Sequence, residues 1–227
     1  MRPNKINQIF EGIYSDGKNI YTKNLLPKNR VYGEKLILIN GVEYRQWDYY
    51  RSKYCAGLKN GLIQSIFFKG ANVLYLGSAE GTTVSHVSDI VEKKGNVFCV
   101  DISEMAMMKI IKLAEKRGNI IPILENAQKV QNYSKDINAL TNGKIDSLFQ
   151  DISQKNQAEI FVKNAQLLRK GRLGAIALKT KSISQSMPKE QILANEKKIL
   201  QKEFEILQTI NLEPFEKHHY LILVKKK

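Results

Sequence analysis

The chain has 227 residues and carries 36 Lys and Arg against 22 Asp and Glu, a formal net charge of +14. Hydrophobic residues make up 43%, enough for a core and too many for a disordered tail, and no apolar run approaches the ~20 residues of a membrane span. Cys55 and Cys99 are too few for a disulfide scaffold and fit a reducing compartment, and with only His86, His218 and His219 beside them no zinc site is expected. The opening MRPNKINQIF has no apolar stretch of a secretory signal. The positive excess points to a polyanion, nucleic acid first. Part of it is composition, because Lys, Asn and Ile are all abundant, as coding from AT-rich DNA produces.

In chain order, residues 8–14 and 19–23 around Ser15-Asp16-Gly17 are expected to pair as strands. Leu36–Ile39, Asn40-Gly41 and residues 42–45 form a hairpin, because Asn-Gly supplies the positive φ angles of a two-residue primed turn. Residues 51–69 place Tyr54, Leu58, Leu62 and Ile66 at helical spacing. From residue 71 strand and helix alternate. Strands are expected at 73–76, 97–100, Ile120–Leu124, 145–149 and 174–178, with helices at 84–91, Glu104–Arg117 and 157–168. A long helix opens at Met187-Pro188, and residues 205–211 and 220–224 end the chain as two strands. Alternation of short apolar strands with helices implies an α/β fold with a doubly wound, mostly parallel sheet, and the final strand pair implies an antiparallel edge. The turn-rich, aromatic-rich segment 1–52 is expected as a small β-rich N-terminal domain, with 53–227 as the larger domain.

In such sheets ligands bind beyond the carboxyl ends of the strands. After the first strand comes Gly77-Ser78-Ala79-Glu80-Gly81-Thr82-Thr83, which is neither G-x-G-x-x-G nor a P-loop, so dinucleotide and triphosphate sites are disfavoured. Asp101 ends the second strand, where a carboxylate can take a ribose diol or simply cap the next helix. Glu125-Asn126-Ala127 ends the third, where an amide can meet an adenine edge or shape a turn. Asp151-Ile152-Ser153-Gln154 and Lys179-Thr180-Lys181 follow the fourth and fifth. Together these describe an adenosyl-type cofactor pocket beside a reactive centre. His86, inside a predicted helix, reads as a packing residue.

Val73-Leu74-Tyr75-Leu76-Gly77, Gly81-Thr82-Thr83-Val84-Ser85-His86-Val87-Ser88-Asp89 and Glu43-Tyr44-Arg45-x-Trp47 resemble fibrillarin, as do Arg51-Ser52-Lys53, Asn156-Gln157-Ala158 and Glu213-Pro214-Phe215-Glu216-Lys217-x-His219. The resemblance covers nearly the whole chain, with strings more like eukaryotic than archaeal members but without their Gly/Arg-rich N-terminal tail. It implies a class I S-adenosylmethionine-dependent methyltransferase fold. The implied activity is methylation of ribose 2′-hydroxyls in ribosomal RNA precursors, as the catalytic subunit of box C/D guide RNPs. Implied partners are a guide RNA with its rRNA target, a Nop-family scaffold and a kink-turn-binding protein. The implied location is the nucleolus, or the cytoplasm of an archaeon. By position, Gly77, Thr82 and Thr83 contact the cofactor, Asp101 and Ile102 flank its ribose, Asn126 and Ala127 its adenine, and Asp151, Ile152, Ser153 and Gln154 its methyl side. Lys53, Asp151, Lys179 and His219 form the implied catalytic constellation, with Lys179 steering or accepting the hydroxyl proton and Asp151 orienting it. Arg45, Arg51 and Lys53 are expected to face RNA.

Four departures stand out. Asn126 replaces a usual Asp, which is expected to weaken the adenine contact. Asp101 replaces Glu, Ser153-Gln154-Lys155 replaces Ala-Gln-Pro, and His218 replaces Asp. These leave open a non-catalytic assembly subunit, and the sequence does not discriminate an additional glutamine methylation of protein.

Overall fold

The computed structural model describes residues 5–227; the first four, part of the opening stretch and of the expected N-terminal domain, lie outside the described residues. The N-terminal sheet contains β1 (Asn7–Phe10), β2 (Ile13–Ser15), β3 (Ile20–Lys23), β4 (Leu36–Ile39) and β5 (Val42–Trp47), ordered β1-β2-β3-β5-β4 with every pair antiparallel. The β4–β5 hairpin turns at Asn40 and Gly41, both at positive φ, as the sequence predicts. The strand expected over 8–14 is broken into β1 and β2. Gly12 turns the chain at φ 73, and a Cβ there would press on Ile90, so the turn itself packs against the neighbouring helix.

The helix expected over 51–69 is much shorter: α1 spans Lys53–Lys59 and ends where Gly61 adopts φ 89. Leu62 and Ile66 are buried all the same, because the following loop crosses the core and the Tyr54 hydroxyl accepts from Ile66 N at 2.9 Å. Helical spacing therefore marked burial correctly and conformation wrongly.

The large sheet contains β6 (Asn72–Leu76), β7 (Asn96–Asp101), β8 (Ile120–Leu124), β9 (Ile145–Gln150), β10 (Leu168–Lys179), β11 (Phe204–Asn211) and β12 (His219–Lys226). Its order is β11-β12-β10-β9-β6-β7-β8. The strands β10, β9, β6, β7 and β8 run parallel, and β12 and β11 are antiparallel at the edge, as expected. The helices are α2 (Thr82–Val91), α3 (Glu104–Arg117), α4 (Ser134–Thr141), α5 (Gln157–Asn164), α6 (Thr180–Ile183) and α7 (Lys189–Leu200). The short α4 and α6 were not legible in the sequence. β10 begins six residues before the expected strand, and a register shift between Leu168 and Leu173 hides its first part. Strand order reverses between β6 and β9, which places the carboxyl ends of β6, β7 and β9 around one crevice.

One face of the large sheet shares its core with the small sheet: Ile13, Ile20 and Trp47 pack in one cluster with Tyr54, Val84, Val87 and Ile110. The opposite face buries Leu74, Phe98, Leu148 and Ile176 under Phe161 and Leu200. Polar groups also join the two sheets. Arg45, on β5, is fully buried, with Nε 2.6 Å from Glu34 and Nη1 2.7 Å from Asp89 of α2, and Arg117 pairs with the other Asp89 oxygen at 2.7 Å. Arg45 thus does not face RNA; every part of its guanidinium is held inside the protein.

His86 sits in the same knot. Thr22 Oγ1 donates its one proton to Asp89 at 2.8 Å, so His86 Nδ1 donates to Thr22 at 2.7 Å and Nε2 accepts from the Tyr32 hydroxyl at 2.7 Å. The ring stacks on Trp47 with centroids 4.9 Å apart. Burial holds its pKa well below the usual histidine value, and Arg45 and Arg117 reinforce the shift. It is a packing residue, as the sequence suggested.

Candidate functional site

Two cavities meet at the carboxyl ends of the parallel strands. The first has a volume of about 280 Å³ and is lined by Gly77, Asp101, Ile102 and Ala127, and by the whole run Asp151, Ile152, Ser153 and Gln154. The second, about 240 Å³, is lined by Lys53, Tyr75, Ser78, Thr82 and Thr83. Gly77, Ala79 and Asp151 belong to both, so they form the neck between them.

Gly77 makes the neck possible. It adopts φ 81, and a Cβ would collide with the Asp151 carbonyl and the Ile152 side chain. Beside it the Ser78 hydroxyl is buried without a hydrogen-bond partner among the described residues. Asp101 is not the cap of α3. That role belongs to Ser103, whose Oγ accepts from Ala106 N at 3.2 Å. Instead Asp101 accepts from Ala79 N at 2.9 Å with one oxygen and from Ser103 N at 2.9 Å with the other, fixing the Gly77 loop to the end of β7. Each oxygen keeps a second lone pair for a ligand diol.

Asn126 itself lines neither cavity, though Glu125 and Ala127 on either side do line the first. Its Oδ1 accepts from Gln128 N at 2.9 Å, the turn alternative left open by the sequence. Sequence reasoning missed Gln128, whose Nε2 donates to Gln154 Oε1 at 2.6 Å and ties the β8 turn to the β9 turn.

At the other end, Lys53 Nζ lies 2.9 Å from Asp151 Oδ2, with both side chains 21% exposed. α1 brings Lys53 there. Ser52 caps it, accepting from Cys55 N at 3.3 Å, and also accepts from Thr83 Oγ1 at 2.9 Å, so the starts of α1 and α2 are tied together. Thr83 is buried and takes part in this tie, whereas Thr82 is half-buried in the cavity wall.

Lys179 ends β10 and pairs in register with His219 of β12. Gln157, fully buried and unrecognised as a site residue, accepts from Lys179 N at 2.9 Å and donates to Gln154 O at 2.8 Å. It thereby sets Lys179 beside the 151–154 loop, although Lys179 lines neither cavity. His219 is buried, and its Nδ1 donates to Lys217 O at 2.9 Å, which leaves the lone pair on Nε2. Burial lowers its pKa below the usual value, the Lys217 carbonyl opposes, and the Lys53 charge adds to the lowering. Lys53, Asp151 and His219 thus share one electrostatic neighbourhood. Arg51 is exposed at the mouth of the second cavity, its guanidinium 5.1 Å from the centre of the Tyr32 ring.

A polar neck that only glycine fits, an unpartnered buried hydroxyl and a carboxylate at the ribose position suit an adenosylated amino acid laid across both cavities. The Fibrillarin family pattern matches residues 1–227. A Pyrococcus abyssi protein named fibrillarin-like rRNA/tRNA 2′-O-methyltransferase is 42% identical, with 96% of each chain covered. Among solved structures, the Methanococcus jannaschii fibrillarin pre-rRNA processing protein superposes with TM-score 0.91 at 38% identity, covering 100% of this chain and 99% of that one. Aeropyrum pernix fibrillarin, with natively bound S-adenosyl-L-methionine, gives 0.84 at 36% identity, covering 99% and 100%. Fibrillarin from a fibrillarin/Nop5p complex gives 0.86 at 32%, covering 97% and 100%. The chain belongs to the fibrillarin family.

Proposed function

We propose that this chain is an S-adenosylmethionine-dependent RNA 2′-O-methyltransferase that works on rRNA inside a guide ribonucleoprotein. The names of its relatives support the reaction, and their rRNA/tRNA wording widens the substrate class beyond rRNA. The carrying observation is Asp151, which stands in the neck between the two cavities with Lys53 at 2.9 Å. In this reading Gly77, Asp101, Ile102 and Ala127 hold the nucleoside, Thr82 and Ser78 face the amino-acid end, and Gln128 with Gln154 closes the adenine side. When bound, the cofactor supplies a methyl group already activated by its sulfonium.

The protein's task is alignment and proton management. A ribose hydroxyl held in line in the second cavity gains several kcal/mol from positioning alone, about 7–11 in the best intramolecular cases. Asp151 orients that hydroxyl and Lys53 holds Asp151. Lys179 steers the proton, and His219, uncharged near neutrality, keeps the charge of the corner low. The Nop-family scaffold, by analogy with the fibrillarin/Nop5p complex, brings guide RNA and a kink-turn-binding protein, and the guide chooses the nucleotide. In a nucleated cell the workplace is the nucleolus.

The test is radiolabelled methyl transfer to a guide-matched RNA by the reconstituted particle. Asp151→Ala and Lys179→Ala are each expected to lower turnover at saturating RNA by about 10²–10⁴-fold. Near-normal turnover in either removes that residue from the mechanism. A wild-type chain that binds its scaffold but not the cofactor would instead be an assembly subunit.

A further inference from the structure

Beyond the mouth of the second cavity lies a third, of about 370 Å³, between residues 26–32 and the outer face of α3. Arg51, Glu80 and Thr82 line both, so the two spaces are continuous. Its walls carry Arg30, Arg51, Lys109, Lys112 and Lys116, all exposed.

The three lysines stand on one side of α3 for a simple reason. Met107, Ile110 and Leu113 turn toward the sheet and are buried. Positions 109, 112 and 116 are three, four and seven residues apart, which at ~1.5 Å per residue aligns them over about 10 Å on the outward face. Glu80 at the junction is paired with Lys109, so the acid in the wall is already neutralised. Arg117 also borders the space, but its buried charge is engaged by Asp89. Tyr32 contributes a ring fixed by its hydroxyl contact to His86 and covered by Arg51. The exposed large apolar residues of the same helix, Met105, Met108 and Ile111, line no part of the groove.

A row of exposed cations leading into a hydroxyl-accepting cavity suits a phosphate backbone better than a protein surface. We propose that this groove receives the phosphate backbone of the RNA strand whose ribose enters the second cavity, with Arg30, Arg51, Lys112 and Lys116 as the phosphate contacts. The proposal rests on the RNA-methyltransferase reading of that cavity. It moves the RNA-facing surface away from Arg45, which is buried, and onto a helix whose lysines looked like compositional excess.

The experiment compares wild type with Lys112→Glu/Lys116→Glu in the reconstituted particle. The milder Lys112→Gln/Lys116→Gln guards against charge-reversal artefacts, and Lys198→Glu/Lys202→Glu, near α7 across the sheet, is the control. RNA affinity is measured directly by fluorescence anisotropy over a salt series, and methyl transfer separately. The groove variants are expected to weaken RNA binding at least tenfold and to reduce the steepness of log K against log salt by about 1.4, two contacts at ~0.7 each for a single strand. Turnover at saturating RNA and calorimetric affinity for S-adenosylmethionine should be unchanged, and the control should match wild type. Unchanged affinity and salt slope would overturn the proposal. Loss of scaffold co-purification with RNA binding intact would also overturn it, and would make the groove a protein interface. If wild type binds RNA through these lysines but transfers no methyl group, the groove stands and the catalytic reading fails.

Discussion

Asn126 has one half of its amide committed to a turn and the other half unpaired, with its neighbours Glu125 and Ala127 lining the first cavity. Its Oδ1 accepts from Gln128 N, while Nδ2 has no hydrogen-bond partner among the described residues. Aspartate would keep the contact to Gln128 and would present a charged acceptor in place of the free NH₂. Asn126→Asp is therefore expected to tighten S-adenosylmethionine binding by up to tenfold, about 1.4 kcal/mol, with an unchanged urea midpoint; calorimetric titration and denaturation check the two parts. Residues placed by a strand end were legible in the sequence: Gly77, Asp101, Ala127 and Asp151 all border the neck or the first cavity. Residues that act through another chain segment were not. Gln128 and Gln157 carry no motif, and only the folded loops bring them to Gln154 and Lys179.

Arg45 was misplaced for a related reason. In a half-buried strand an arginine reads as outward, and its acid partners lie 11 and 44 residues away on a loop and on α2. Such a buried charge is strongly coupled to its partners. Arg45→Met is expected to destabilise the protein by about 3–5 kcal/mol, because Glu34 loses its cation and Asp89 keeps only Arg117. The loss should appear as a lower urea midpoint. The element-level lesson extends to α1. Seven residues of helix, capped by Ser52 and tied to Thr83, suffice to deliver Lys53 to Asp151, while the rest of the expected helix is a buried loop. Periodicity reports which side chains are buried, and a glycine at positive φ decides where the helix stops.

Over the whole molecule, acid sensitivity follows from the two buried histidines. His86 and His219 both have folded pKa values below the ordinary 6.5, so below that pH the unfolded chain binds more protons than the folded one. Stability is complete above pH 6.5 and falls as pH drops from there, by up to about 1.4 kcal/mol per pH unit for each histidine until its folded pKa is reached. Glu196, raised by burial, works in the opposite direction. Asp16, held at about 2 by its hydrogen bonds, and Glu34, held low by Arg45, stabilise the fold fully above their ordinary values near 4 and lose that contribution only as pH falls below them. Urea midpoints are expected to fall between pH 7 and pH 5, with a shallower fall in His86→Gln. The net charge also changes meaning at this scale. Residues 1–52 carry +4 of it and residues 53–227 carry +10, and its useful part follows geometry, on one face of α3 and around Arg51.

Cys55 and Cys99 are both fully buried, and burial pushes both thiols well above the ordinary cysteine range. To a maleimide or a haloacetamide the folded protein is therefore nearly blank. A single cysteine placed at Lys112 would be the sole fast-reacting thiol, so a spectroscopic probe or a photo-crosslinker could be mounted there without first deleting a native one. The interior thus leaves the surface free for site-specific chemistry, and the distance from α3 to a labelled ribonucleotide becomes a quantity that can be read by fluorescence transfer.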